Sequence, residues 1–167
     1  MGNVLRRDDG FGVEVARRLL AADSLPPHVR VVEVGIGGIS LVQELMTPPG
    51  YDILLLIDAA ERGDEPGRVA VLDVDVPATD ELPALVRQDF FADMHYATPD
   101  RALTLAQAVG ALPQQTFIIG CQPGNCEYAI GLTPPVAAAV DEAVRLIAQL
   151  VEQISAQPNQ SPAGAAP

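Results

Sequence analysis

The sequence has no lysine: all ten of its basic residues are arginine, set against 22 acids for a net charge of −12. That balance argues against nucleic acid and anionic membrane surfaces as general partners. The absence of lysine also rules out a Walker phosphate loop. Cysteine is nearly absent, with only Cys121 and Cys126. Two cysteines make no disulfide framework, and Cys121-Gln122-Pro123-Gly124-Asn125-Cys126 lacks the second pair that a zinc site needs. A buried Cys121 and a loop Cys126 are expected. There is no Gly-x-Ser-x-Gly elbow to announce a catalytic serine. No apolar run is long enough to span a bilayer, and residues 1–7 carry no secretory signal. These absences lead to the expectation of a cytoplasmic protein.

The chain has 167 residues, 49% of them hydrophobic, enough for one domain with a core that needs no covalent staple. After Ile154 no bulky apolar residue follows, so the expected organisation is a domain over 1–154 and a disordered tail over 155–167. Apolar spacing predicts helices over 9–22, 39–46, 99–109 and 134–153. Strands are predicted over 29–34, 51–57, 68–74 and 116–120. The run Ile53-Leu54-Leu55-Leu56-Ile57 has the all-apolar character of a buried parallel strand. The short turn Gly63–Gly67 favours antiparallel pairing of 68–74 with the strand before it. The alternating order gives an α/β layered domain with a mostly parallel sheet. Function then belongs at the carboxyl ends of the strands.

Several residues stand out by that rule. Asp58 follows the apolar strand directly, where a carboxylate is costly unless paired or metal-bound; the plainer reading is a cap. Asp8 and Asp9 open the first helix, where acids commonly cap amides, though a pair permits one to cap and one to face a site. Of the two histidines, His28 sits in a polar turn, while His95 lies in a mixed apolar and acidic loop and reads equally as packing or as a ligand. Two carboxylates and an imidazole from three elements would suit a divalent transition metal with open positions. Gly35-Ile36-Gly37-Gly38 lies between a predicted strand and helix, but the full dinucleotide fingerprint is missing.

The segment from Gly2-Asn3-Val4-Leu5-Arg6-Arg7-Asp8-Asp9 through Gly10-Phe11-Gly12-Val13 resembles the opening signature of the hydrogenase maturation endopeptidases. The resemblance continues in Val34-Gly35-Ile36-Gly37-Gly38, Leu56-Ile57-Asp58-Ala59-Ala60, His95, Gly120-Cys121-Gln122-Pro123 and Gly131-Leu132-Thr133-Pro134. It implies a three-layer sandwich, with a mostly parallel twisted sheet and helices on both faces. It also implies an endopeptidase that removes the carboxy-terminal extension of a nickel–iron hydrogenase large-subunit precursor after nickel insertion. Asp9, Asp58 and His95 are then the metal-binding and catalytic residues, engaging the precursor's nickel as the recognition metal. Either a metal-bound water or an aspartate general base fits the hydrolysis. Gly35, Ile36, Gly37 and Gly38 fall in the family's substrate-reading loop. No tightly bound organic cofactor is expected, and a monomer is.

Two departures follow from the same resemblance. Glu33-Val34 stands where the family usually has an aspartate before its glycines. Family members also carry a strand ahead of the Gly-Asn motif, so an upstream segment supplying that strand is expected. The competing readings are a non-catalytic metal-responsive chaperone of the precursor, a truncated inactive homologue, and a small phosphate-binding domain using Gly35–Gly38.

Overall fold

The computed structural model describes residues 1–76 and 98–156. A 3₁₀ turn at Arg7–Gly10 leads into helix α1 (Phe11–Ala22), followed by α2 (Gly38–Leu45), strand β1 (Ile53–Ala59) and strand β2 (Val69–Asp73). Helix α3 (Pro99–Ala108), strand β3 (Gln115–Cys121) and helix α4 (Pro134–Ala156) complete the order. His95 and residues 157–167 of the expected tail lie outside the described residues.

The helices form where the apolar spacing places them. In α1, Phe11, Val15 and Leu19 recur every four residues and are buried. The helix ends at Asp23, which adopts a left-handed conformation and donates its N–H to the Leu19 carbonyl at 3.2 Å. Helix α4 presents Val136, Val140, Ala143, Ile147 and Val151 as one buried stripe. Pro99 opens α3, where its missing N–H costs nothing.

The sheet has the order β1-β3-β2. β1 and β3 run parallel, pairing Ile53 with Gln115 through Ala59 with Cys121. Alternation along these strands splits the core in two. Leu55, Ile57, Ile119 and Cys121 face α1 and α4; Leu54, Leu56 and Ile118 face α2 and α3. Helices therefore cover both faces, as an α/β sandwich requires. Each fully buried aliphatic side chain in these two layers contributes about 1.5–3 kcal/mol. Gly12 lets α1 lie against β1, because a Cβ there would collide with the carbonyls of Ile57 and Met1.

Two expectations are corrected. β2 is antiparallel, but its partner is β3 rather than β1, with Val71 opposite Ile119. The link over 60–68 reaches across two strand spacings, about 10 Å, and is tied to the end of β3. Gly67 N–H donates to Gln122 O at 2.8 Å and Gln122 N–H to Arg68 O at 2.9 Å. Residues 29–34 form no strand. Their β-branched composition favours extended backbone, but a strand needs a ladder partner, and none among the described residues lies alongside. Instead Val29, Val31 and Val34 line a cavity of about 340 Å³ together with Ile53, Leu55 and Ile57 of β1.

Candidate functional site

Asp58 is the penultimate residue of β1 and only 7% exposed. Its Oδ1 is buried and has no hydrogen-bond partner. Burial pushes the carboxyl up to about 6; the Met1 ammonium and the Ala59 N–H pull the other way, and the neighbouring Asp9 adds to the rise. An acid kept this way is poised to release its proton near neutral pH or to accept a cation.

Asp9 reaches the same place from the 3₁₀ turn. Asn3 N–H donates to Asp9 Oδ2 at 3.2 Å and to the Asp9 carbonyl at 3.1 Å. Gly2 sits between the two acids, with φ at +128°. A Cβ there would collide with the Asp9 carbonyl and lie 3.4 Å from Asp58 Oδ1. The glycine of the Gly-Asn pair is therefore what lets the two carboxylate-bearing segments close on each other. Gly2 N–H in turn donates to Gly35 O at 2.9 Å, bringing the Gly35–Gly38 turn to the edge of the acid pair. Ile36 stands exposed on that turn. Glu33, just before it, is held by the Arg17 guanidinium through two 3.0 Å bonds.

The structure thus brings together Asp9, Asp58 and the Gly35–Gly38 turn. Among the described residues no three His, Cys, Asp or Glu side chains gather closely enough to hold a metal ion. His95, the third expected ligand, lies outside them. The two carboxylates supply hard oxygen donors for a divalent cation, and Asp58 Oδ1 is the free one.

Neither Asp8 nor Asp9 makes a side-chain capping bond at its helix. Asp8 is fully buried and grips the loop after β3 instead. Its Oδ2 accepts from Gly124 N–H at 2.8 Å, Asn125 N–H at 2.9 Å and Thr133 Oγ1 at 2.8 Å, and its Oδ1 from Thr133 N–H at 2.6 Å. Burial alone would raise this carboxyl; the hydrogen bonds together outweigh it and hold Asp8 below the ordinary carboxylate range. Asp8 therefore positions the turn that carries Asp9.

Gln122 does similar work on the other flank. Its Oε1 accepts from Arg62 N–H at 2.7 Å and Asp64 N–H at 3.2 Å, while its Nε2 donates to Glu61 Oε1 at 2.6 Å. This fixes the loop that leaves Asp58. Sequence reasoning assigned Gln122 no role of its own; a polar residue directly after the buried end of a strand was the available signal. Cys121 is buried and Cys126 half-buried, both free thiols. Burial pushes the Cys121 thiol up to about 11, and burial with Asp9 and Asp8 raises Cys126. Both stay protonated at neutral pH and are poor ligands there.

Fold and site together define an α/β enzyme with its acids at the carboxyl edge of the sheet. Comparison with known proteins places it more closely. The model of the hydrogenase maturation protease family matches residues 13–150, and the chain belongs to that family. It is 33% identical over 159 residues to the hydrogenase expression/formation protein HupD of Rhodobacter capsulatus, covering 93% of this chain and 69% of that one. A putative hydrogenase maturation protease of Methanocaldococcus jannaschii is 34% identical, with 87% of this chain and 89% of that one covered. The crystal structure of a hydrogenase 2 maturation peptidase from a Thaumarchaeota archaeon matches with a TM-score of 0.63 at 30% identity, covering 90% of this chain and 93% of that one. Among the described residues no helix is long and apolar enough to cross a membrane.

Proposed function

We propose that this protein is an endopeptidase that removes the carboxy-terminal extension of a nickel–iron hydrogenase large-subunit precursor once nickel has been inserted. Membership of the maturation protease family supports the peptidase role. The observation that carries the finer reading is the meeting of Asp9 and Asp58 across Gly2, with one Asp58 oxygen buried and unpartnered. In this reading the precursor's nickel is part of the substrate, and Asp9, Asp58 and His95 engage it. The scissile bond is then held beside the acid pair and the Gly35–Gly38 turn. Hydrolysis adds a water oxygen to the peptide carbonyl and delivers a proton to the leaving amine. A carboxyl near pKa 6 is suited to carry that proton at neutral pH, and polarisation of water by the metal serves the same end. The setting is the cytoplasm and the working form a monomer.

The test is intact mass of a nickel-loaded precursor before and after incubation. Loss of one carboxy-terminal peptide, abolished by Asp58→Asn, is the expected result. An uncut precursor that still binds the protein would assign a chaperone role instead. Cutting of a nickel-free precursor at the same rate would sink the metal-recognition part.

A further inference from the structure

The geometry points to a substrate-docking surface beside the acid pair, formed by Tyr128, Ile130, Leu5 and Arg7, that takes an apolar segment of the precursor bearing a carboxylate. This rests on the endopeptidase reading for the identity of the partner.

A parallel bridge between Arg6 and Ala129 lays the amino-terminal turn against the loop after β3. Arg7 N–H donates to Ala129 O at 2.9 Å and Ala129 N–H to Leu5 O at 3.0 Å. On this joint Tyr128 and Ile130 are each 85% exposed and Leu5 57%. Side chains of this size that sit in a mobile loop can fold down and shed water. Here the backbone of the loop is tied by the Asp8 carboxylate at Gly124, Asn125 and Thr133, and by the bridge at Ala129. The Arg6 guanidinium also stands over the Tyr128 ring, 5.8 Å from its centre, a cation–π contact. An exposed aromatic and aliphatic pair on a tied backbone is the makeup of a binding hot spot, with part of its ordering cost already met.

Charge selects the occupant. The chain carries −12 overall, yet a groove of about 320 Å³ continuing from Ile130 is lined by three arginines, Arg7, Arg17 and Arg18, against one acid, Glu14. Arg17 is neutralised by Glu33 at 3.0 Å, and Arg18 lies between Asp141 at 2.6 Å and Glu14 at 4.0 Å. Arg7 has no ion-pair partner among the described residues, and its backbone is held at φ +44°, a left-handed conformation that arginine rarely adopts. The free guanidinium suits a carboxylate set among apolar side chains. Arg7 and Asp9 share one 3₁₀ turn, so a segment docked here lies against the turn that carries Asp9.

The experiment uses the full chain and purified nickel-containing precursor, reading both equilibrium binding by calorimetry and steady-state cleavage. The variants are the double change Tyr128→Ser with Ile130→Ser, and Arg7→Gln. Trimming exposed side chains leaves the fold intact, which an unchanged melting curve verifies. The double variant is expected to raise Kd and KM about tenfold or more, with kcat within about twofold, and Arg7→Gln to raise both about threefold. Unchanged Kd and KM with normal cleavage would overturn the docking surface and leave the endopeptidase reading standing. Binding without cleavage, weakened in the variants, would keep the surface and sink the endopeptidase reading. No binding by the wild-type chain would sink both.

Discussion

At the scale of single residues, Asp8 and Asp58 are two buried acids with opposite effects on stability. Asp58 is raised from an ordinary 3.8 to about 6 in the folded chain. Between those pH values the native state keeps a proton that the unfolded chain has lost. Stability therefore falls as pH rises from about 4 to about 6 and stays reduced above that, by about 1–3 kcal/mol. Asp58→Asn removes the ionisable group, so its melting temperature should exceed that of the wild type at pH 7.5 and match it at pH 4. A lower melting temperature at pH 7.5 would mean that the carboxylate anchors the fold instead. Asp8 behaves the other way. Its depressed carboxyl stabilises the fold above the ordinary carboxylate range, and that contribution disappears as acid titrates it. Asp8→Ala strands the N–H groups of Gly124, Asn125 and Thr133. At about 1–3 kcal/mol per stranded donor, partly relieved by water, a loss of about 3 kcal/mol is expected in urea unfolding. Asp58 was legible in the sequence because five apolar residues in a row make the following acid expensive. Asp8 was not, because its partners are 116 to 125 residues away and no local pattern names them.

At the scale of elements, helices α1 and α4 and strands β1 and β3 were legible because their burial repeats along the chain itself. The position of β2 was not, since a link between two strands bounds their separation without choosing the neighbour. Nor could composition alone decide residues 29–34, whose valines favour extended backbone but find no ladder. The edge of β1 away from β3 faces the cavity, and the Met1 ammonium donates to the Ile57 carbonyl at its end. That ammonium is driven below its ordinary pKa by burial, against the pull of Asp58, Asp9 and Glu33. A neutral peptide N–H in its place would keep the bond without burying a charge. An apolar strand of about five residues fused ahead of Met1 spans about 16 Å, the length of the Ile53–Ile57 part of β1 that lines the cavity. Such a fusion should raise the melting temperature by about 5 °C or more, while a Gly-Ser extension of equal length should leave it unchanged. Equal effects of the two extensions would show that the groove does not accept a strand.

At the scale of the whole molecule, two apolar layers flank one sheet, and the acid pair sits where the sheet's carboxyl edge meets the turn before α1. The layer under α1 and α4 holds that turn in place, since α1 begins directly after it and α4 packs along α1. Helix α4 is thus tied to the site although none of its residues is in it. Its last buried contacts are Ile147 and Val151, and Ile154 still borders the cavity beside β1. The residues that follow the helix add no bulky apolar group. Ending the chain after Ala156 should therefore leave both the melting temperature and precursor cleavage unchanged. Ending it after Leu146 removes Ile147 and Val151 at about 1.5–3 kcal/mol each. Against a total stability of about 5–15 kcal/mol, that loss should lower the melting temperature sharply, loosen α1 on the sheet and reduce cleavage with it. Circular dichroism melts on the two truncations, run beside the cleavage assay, check the point. Retained cleavage in the shorter chain would mean that β1 and the amino-terminal turn hold the acid pair without help from α4.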